Sequence, residues 1–473
     1  MESIKFSDIL RITNGKSDYV GDFAVTGVET DSRRIKPGDI FVAIVGARVD
    51  GHSFIADVAQ KGAVAAFVSR PVEDSPIPTI LVESTEEALI VLAKEYFSIM
   101  SPFTVAVTGS CGKTSTKDML FEVFSQKGNT LKTNGNYNST VGLPLTVCRL
   151  SSHNKQAVLE MGTGHKGEIA TMCRVVQPDI AVITNIGTSH MEFFESQENI
   201  YKEKTDLFRA VKPGGTLIVN IDDEYLARVM DDDSFDANKI SYGIENDADV
   251  AAANIEMFNR PEGIFTEFDI CVKNTDKFNL ANKGLRIHAV MNSLGVHNVY
   301  NALAATAAGL AADIPLTKIV AGLKCFVADD MRLNVTRCKD GLTVISDVYN
   351  SNPQAVAAAL KAMSQVAKGR KIVILGDMLE LGAAAKQAHS EIGKLAAQHA
   401  SFIITRGKMA IYTAGGAAEL ISYKNIQTVS SNKEAIEFLQ GFDLSPEDTV
   451  LVKGSRGMMM EEIVDYLINK RFE

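Results

Sequence analysis

Hydrophobic positions in this chain follow two rhythms: short unbroken apolar runs, and longer stretches in which apolar residues recur every third or fourth place. The first rhythm predicts strands and the second helices. Phe41–Val45, Ala63–Val68 and Thr79–Val82 are β-rich runs broken by Pro37-Gly38 and Pro76-Ile-Pro78, so residues 1–98 read as a small α/β unit. A new unit opens at Pro102. Its runs Thr104–Thr108, Ala157–Glu160, Ile180–Thr184 and Thr216–Asn220 are apolar apart from polar residues at their ends, as strands buried on both faces of a parallel sheet are. Lys113–Lys127 and Val299–Ala312 carry the helical spacing between and after them. Residues 245–290 break the rhythm and predict an antiparallel excursion. A third unit begins near Val327, with strands at Leu342–Ile345, Lys371–Leu375, Phe402–Thr405 and Thr449–Val452. The expected class is α/β in three domains, 1–98, 99–326 and 327–473, the central one a doubly wound parallel sheet and the last Rossmann-like.

Composition narrows the picture without changing it. The chain has 473 residues, 46% hydrophobic and 22% charged, an ordinary globular balance. No apolar stretch approaches the roughly 18 residues a spanning helix needs, and the N-terminus lacks the basic-then-apolar layout of a signal peptide. Six cysteines are scattered with no CxxC pair, which fits a reducing compartment. The expectation is a cytoplasmic monomer with no membrane insertion. A net charge of −10 argues against a nucleic-acid surface, so any phosphate must be held by a local device.

One such device is visible. Gly109-Ser-Cys-Gly-Lys-Thr-Ser115 lies between a predicted strand and a predicted helix. There the backbone N–H groups of Gly109, Ser110, Cys111, Gly112 and Ser115 can wrap a phosphate at the positive end of the helix dipole. Lys113 can reach the β- and γ-phosphates, and the Thr114 hydroxyl can ligate Mg²⁺. Val107 stands where the full pattern has its first glycine, and a plain glycine turn capping a helix is the competing reading. The central domain is accordingly read as a P-loop ATPase. Glu160 and His190 follow neighbouring strand ends, where open α/β sheets bind ligands, and carboxylate plus imidazole suits a divalent metal; singly, each is also an ordinary solvated or core-satisfied group. Lys204, by itself, is one lysine on a charged amphipathic helix. Asn298 and Asn301 open an alanine-rich helix, either as caps or as partners for a base. In the third unit Asp347-Val-Tyr-Asn-Ser-Asn-Pro353, Gly376-Asp-Met-Leu-Glu-Leu-Gly382 and Lys453-Gly-Ser-Arg456 each follow a strand and are expected to converge on one crevice.

Taken in order, these clusters resemble the Mur ligases of peptidoglycan synthesis, from Asp31-Ser-Arg-Arg34 and Asp50-Gly-His-Ser-Phe54 to Lys453-Gly-Ser-Arg456. The short P-loop is that family's form, although Cys111 stands where relatives commonly carry another small polar residue. The three boxes of the third unit look specific to the branch that adds D-alanyl-D-alanine. The resemblance implies an ATP-dependent ligase that joins D-alanyl-D-alanine to UDP-N-acetylmuramoyl-tripeptide through an acyl phosphate. ATP and two Mg²⁺ ions would be its cofactors. It further implies that Lys113 and Thr114 hold the phosphates and a first Mg²⁺ with Glu160, while His190 binds a second. Lys204, fourteen residues beyond His190, matches the lysine the family carbamylates to obtain an extra carboxylate. Asn298 and Asn301 match adenine-side residues, and Arg332 and Asp347 residues near ribose and phosphate. Asn138, Ser139 and Thr140 match the loop that meets the muramoyl peptide. Tyr349, Asn350, Asn352, Lys453 and Arg456 are implied on the substrate side, and Ser32 and Arg33 at the UDP end. Two alternatives stay open: a folylpolyglutamate-type amide ligase and a non-catalytic nucleotide-binding scaffold.

Overall fold

The computed structural model describes residues 1–260, 263–278 and 284–470. Its first sheet is parallel, in the order Gly27–Glu29, Asp39–Val42, Ala65–Val68, Thr79–Leu81, beside a small antiparallel pair, Ile4–Lys5 with Ala24–Val25. The helix Thr85–Met100 follows, capped by Ser84, whose Oγ accepts from the Glu87 amide at 3.1 Å. This helix buries two faces. Ala88, Leu89 and Leu92 join the first core, while Ile90, Ala93, Tyr96 and Phe97 join that of the next unit, so its apolar stripe is wide and only a strip that includes Lys94, Glu95 and Ser98 faces out.

The middle sheet has nine strands. Seven are parallel, in the order Thr130–Lys132, Gln156–Glu160, Phe103–Thr108, Ile180–Ile183, Thr216–Asn220, Asn238–Gly243, Val250–Arg260. Alternate residues of one strand serve opposite cores: Val105 and Val107 face one way and Ala106 the other, which is why the strands read as continuous apolar runs. The chain leaves the Phe103–Thr108 strand toward one edge and later returns to its other side at Ile180–Ile183. The glycine loop therefore opens at a topological switch point.

Residues 245–290 do contain the antiparallel excursion. Gly263–Val272 and Leu285–Met291 extend the sheet antiparallel to Val250–Arg260. A register shift between Ala253 and Glu256, with Asn254 in the left-handed region at φ 51°, bends the hairpin. Beyond that bend Met257 and Ile264 leave the middle core and pack with Val356, Leu360 and Met363 of the third unit. Asn259 Nδ2 donates to the Val366 carbonyl at 3.0 Å, and Arg337 Nη2 donates to Asn259 Oδ1 at 3.0 Å.

The third sheet runs Asn334–Arg337, Thr343–Asp347, Thr449–Lys453, Lys371–Gly376, Phe402–Arg406, Ile426–Val429, parallel except at its first edge strand. The class is mixed α/β with three units, as expected. Two details differ. The helix predicted from Val299 spans Val296–Ala311, with Gly295 as its N-cap, so Asn298 and Asn301 lie inside it and do not cap it. The strands Thr130–Lys132, Asn334–Arg337 and Ile426–Val429 escaped the reading because they are edge strands that carry polar residues, and the interior strand Asn238–Gly243 escaped because Asn238, Lys239 and Ser241 interrupt its apolar pattern.

Candidate functional site

The strand-end loops of the second and third units enclose a cavity of about 780 Å³, within the range of small-molecule sites. The glycine loop forms its floor. Gly109 (φ +149°) could carry no side chain, since a Cβ would come within 1.8 Å of Thr184 Oγ1; at Gly112 (φ +82°) it would come within 2.7 Å of Asn301 Oδ1. The 184–190 segment braces the loop. Cys111 N donates to Asn185 Oδ1 at 2.9 Å, Asn185 Nδ2 donates back to the Cys111 carbonyl at 3.1 Å, and Gly187 N donates to Ser110 Oγ at 2.8 Å.

Lys113 curls onto its own loop, donating to the Gly109 carbonyl at 2.7 Å. Burial pushes its pKa down, against the pull of Glu160. Lys204 is more deeply buried, and its Nζ donates to that same Gly109 carbonyl at 3.1 Å. Burial, reinforced by the Lys113 charge, pushes Lys204 well below the ordinary lysine range. The neighbouring Glu203 is spent elsewhere, accepting from the Gly167 and Ile169 amides. The helix Gln197–Arg209 thus turns one lysine inward, on the buried stripe that also carries Ile200 and Leu207.

Glu160 ends its strand buried. Oε1 accepts from Asn138 Nδ2 at 2.7 Å and from the Thr114 hydroxyl at 3.3 Å, while Oε2 has no partner. A buried carboxylate oxygen without a donor is costly, and a cation beside the Thr114 hydroxyl is what that donor set fits. Among the described residues there is no group of three or more His, Cys, Asp or Glu able to hold a metal alone; phosphate oxygens and water would have to complete the shell. His190 sits at φ 58° on the cavity wall, its Nδ1 2.6 Å from Glu380 Oε2 of the third unit. That contact holds the Glu380 carboxyl below its usual range.

Asn298 and Asn301 border the cavity from inside their helix. Asn301 Nδ2 donates to Asn298 Oδ1, Asn298 Nδ2 to the Leu294 carbonyl, and Thr116 Oγ1 to Asn301 Oδ1. The three boxes of the third unit do converge here. Arg332 stacks over the Tyr349 ring at 4.2 Å, and Lys453, fully buried, bonds Asp347 at 2.6 Å and the Asn350 carbonyl at 2.9 Å. Arg456 pairs with Glu461. Ser110, Cys111, Gly112, Ser115, Asn138, Ser139 and Asn352 also line the space.

Five expected residues are not among those that border it: Gly109, Lys204, Thr140, Ser32 and Arg33. Thr140 lies just past Ser139, whose hydroxyl caps the next turn by accepting from the Gly142 amide. Ser32 and Arg33 are in the first unit: the Arg33 guanidinium is taken by Asp31 at 2.7 Å, and the Ser32 carbonyl accepts from Lys61. There, Arg34 reaches the Tyr137 hydroxyl, joining the first unit to the 134–140 loop. Sequence reasoning missed Asn185, Asn220, Asp222, Asp223 and Tyr300, all on the cavity wall. Tyr300 donates to Asp222 Oδ2 at 2.8 Å, and Asp223 accepts from the Ile186 amide at 2.7 Å. The placement of Asp222 and Asp223 just after the Thr216–Asn220 strand was the available signal.

Three family models match the chain: the Mur ligase family catalytic domain over residues 24–97, the Mur ligase middle domain over 107–309, and the Mur ligase glutamate ligase domain over 331–456. The UDP-N-acetylmuramoyl-tripeptide–D-alanyl-D-alanine ligase of Bacillus subtilis is 35% identical, over 94% of this chain and 93% of that protein. The crystal structure of MurF from Acinetobacter baumannii superposes with a TM-score of 0.88 at 31% identity, covering 99% of each chain. MurF from Thermotoga maritima in complex with ADP superposes with a TM-score of 0.79 at 26% identity, over 93% of this chain and 96% of that one.

Proposed function

The chain belongs to the Mur ligase family, and from that membership and the cavity's chemistry we propose that it is an ATP-dependent ligase. On this reading it joins D-alanyl-D-alanine to UDP-N-acetylmuramoyl-tripeptide in the cytoplasm, as a monomer. The observation that carries the reading is the pair of lysines, half-buried Lys113 and buried Lys204, meeting at the Gly109 carbonyl in the cavity region that also holds the orphaned Glu160 oxygen.

ATP lies with its phosphates on the loop 109–115 and its base toward Asn298 and Asn301, with Arg332 and Asp347 near the ribose and phosphates. A carboxylate oxygen of the tripeptide attacks the γ-phosphorus, the bond to the bridging oxygen of ADP breaks, and an acyl phosphate forms. The amine of D-alanyl-D-alanine then attacks the acyl carbon, loses a proton, and inorganic phosphate departs. Lys113 leaves its internal carbonyl to neutralise phosphoryl charge in a water-poor site, where such a contact is most effective. Thr114, Glu160, His190 and a carbamylated Lys204 are the residues that would hold two Mg²⁺ ions, which when bound screen the charge between the reacting oxygens. A neutral amine is what carbamylation needs: the Lys204 nitrogen lone pair attacks carbon dioxide and the nitrogen gives up a proton. Residues 1–98 hold the UDP end, with Ser32 and Arg33 there, and Asn138, Ser139 and Thr140 face the muramoyl peptide. Residues 99–326 hold ATP, and 327–473 close over it, with Tyr349, Asn350, Asn352, Lys453 and Arg456 facing the second substrate.

The test is ADP release by the purified protein in the presence of MgATP, with each substrate alone and with both. Release that depends on both supports the reading, whereas release unaffected by D-alanyl-D-alanine overturns it. Dependence on a folate substrate would move the chain to the folylpolyglutamate type, and no release with any pairing would favour a scaffold.

A further inference from the structure

Asn352 is the N-cap of the helix Pro353–Val366, its Oδ1 accepting from the Ala355 amide at 2.8 Å. Its amide nitrogen does something a cap does not require. It donates to Ser189 Oγ at 2.8 Å and lies 3.1 Å from Cys111 Sγ. Cys111 belongs to the phosphate loop, and Ser189 directly precedes His190. Both amide protons and one lone pair of a buried side chain are therefore spent on three separate segments: the third unit's helix, the phosphate loop and the His190 loop.

We infer that Asn352 is a positioning residue that couples seating of the third unit to the arrangement of the phosphate loop and the His190 loop. The inference rests on the function proposed above and changes what Asn352 does within it: its donors serve the protein and not the second substrate. The physical argument is geometric. Asn352 travels with the third unit, whereas Cys111 and Ser189 belong to the second. If the third unit swings away, the cap bond to Ala355 survives because it lies within one helix, but both bonds across the boundary break together. Restoring them requires the loop and the His190 segment to stand at one separation, since one planar NH₂ group must reach both. Gln354 reinforces the same seat, approaching so closely that a Cβ on Gly187 would come within 2.1 Å of its Oε1.

Asn352→Ser separates the two roles. A serine caps a helix nearly as well as asparagine but is too short to cross the boundary; Asn352→Asp likewise keeps the cap and removes the N–H donors. Both variants should keep the wild-type Tm and bind ATP alone within about twofold of wild type, because the phosphate loop is intact, while kcat falls about tenfold or more, the loss expected for two hydrogen bonds. Cys111→Ala should cost less alone than Asn352→Ser, and should cost little further in the Asn352→Ser background, because the contact it removes is already gone. Small-angle scattering with MgATP reads the same point without turnover: wild type compact, Asn352→Ser expanded. Wild-type kcat and wild-type compactness in both variants would overturn the inference. So would parallel losses of Tm and ATP affinity, which would mark Asn352 as structural only. A wild-type protein that releases no ADP would sink the proposed function instead, and the scattering comparison would still decide the role of Asn352.

Discussion

Lys113 and Lys204 donate to one oxygen, and two full cations around a single buried carbonyl repel each other with little water to screen them. The arrangement is stable because burial disfavours the charge, most strongly on Lys204. Two consequences follow at this scale. On the proposed function Lys113→Ala removes the cation that would meet the γ-phosphate, so kcat/KM for ligation should drop by about 100-fold or more; turnover above a tenth of wild type would contradict that role. Lys204→Ala should be similarly impaired but partly rescued by added acetate, and intact-protein mass spectrometry in bicarbonate should find one carbon dioxide on Lys204. An unmodified, dispensable Lys204 would return it to an ordinary buried lysine. His297 supplies the pH dependence. Burial pushes its pKa down to about 4, outweighing the pull of Asp347. Its folded pKa lies below its unfolded one, so the unfolded chain binds more protons and stability is lost as pH falls from about 6.5 toward 4. In His297→Asn the fall in Tm across that window should be shallower than in wild type, a difference that thermal unfolding at pH 7, 6, 5 and about 4.5 would reveal.

At the scale of elements, what the sequence made legible was whatever has one burial rule along its whole length. Phe103–Thr108 and Ile180–Ile183 serve two cores at once, so their central positions, Val105–Val107 and Ile180–Ile183, are all apolar and the strand announces itself. Ile426–Val429 is an edge strand with Gln427 and Thr428 in it, and its pattern resembles a loop. The glycine loop 109–115 was legible because its glycines answer to sterics: positive φ and close approach leave no room for another residue at Gly109 or Gly112. Asp222 and Tyr300 were not, because an aspartate after a strand and a tyrosine in a helix have many ordinary uses, and only the fold brings them together. Lys204 shows the limit most clearly: its spacing from Ile200 and Leu207 puts it on the buried stripe of its helix, but only the fold shows that its amine meets the Gly109 carbonyl. The glycine argument yields its own prediction. Gly112→Ala places a Cβ at φ +82° and 2.7 Å from Asn301 Oδ1, so the loop must shift. The strain should cost about 1–2 kcal/mol of stability, and ATP affinity should fall further than stability does. Calorimetric ATP titration beside chemical denaturation would separate the two; equal affinity in the variant would mean the loop does not hold phosphate in this conformation.

Across the whole molecule, the second and third units meet in two quite different ways. On the cavity side the contacts are polar and few: His190 with Glu380, and Asn352 with Cys111 and Ser189. On the far side the bent hairpin of the second unit buries Met257 and Ile264 against Val356, Leu360 and Met363, with Asn259 bonded to Val366 and Arg337. Apolar contact of that kind is insensitive to small rotations, whereas hydrogen bonds across the cavity are lost within an ångström or so. The third unit should therefore open at the cavity and pivot on the hairpin, as a hinge of this type does. Ligands that touch both walls stabilise the shut form by mass action. The radius of gyration from small-angle scattering should thus be smaller with a non-hydrolysable ATP analogue and the muramoyl tripeptide than without them. Loosening the pivot tests the mechanism from the other side. Met257→Ser with Ile264→Ser removes apolar contact from the hairpin while leaving every cavity residue in place, so the ligand-free particle should expand beyond wild type. Saturating ligands should restore most of the compactness, and kcat should fall more than ATP affinity, because the cost lies in seating the third unit and not in binding the nucleotide. If the doubly substituted protein matches wild type in both radius and kcat, the hairpin is a passive contact and the pivot lies elsewhere.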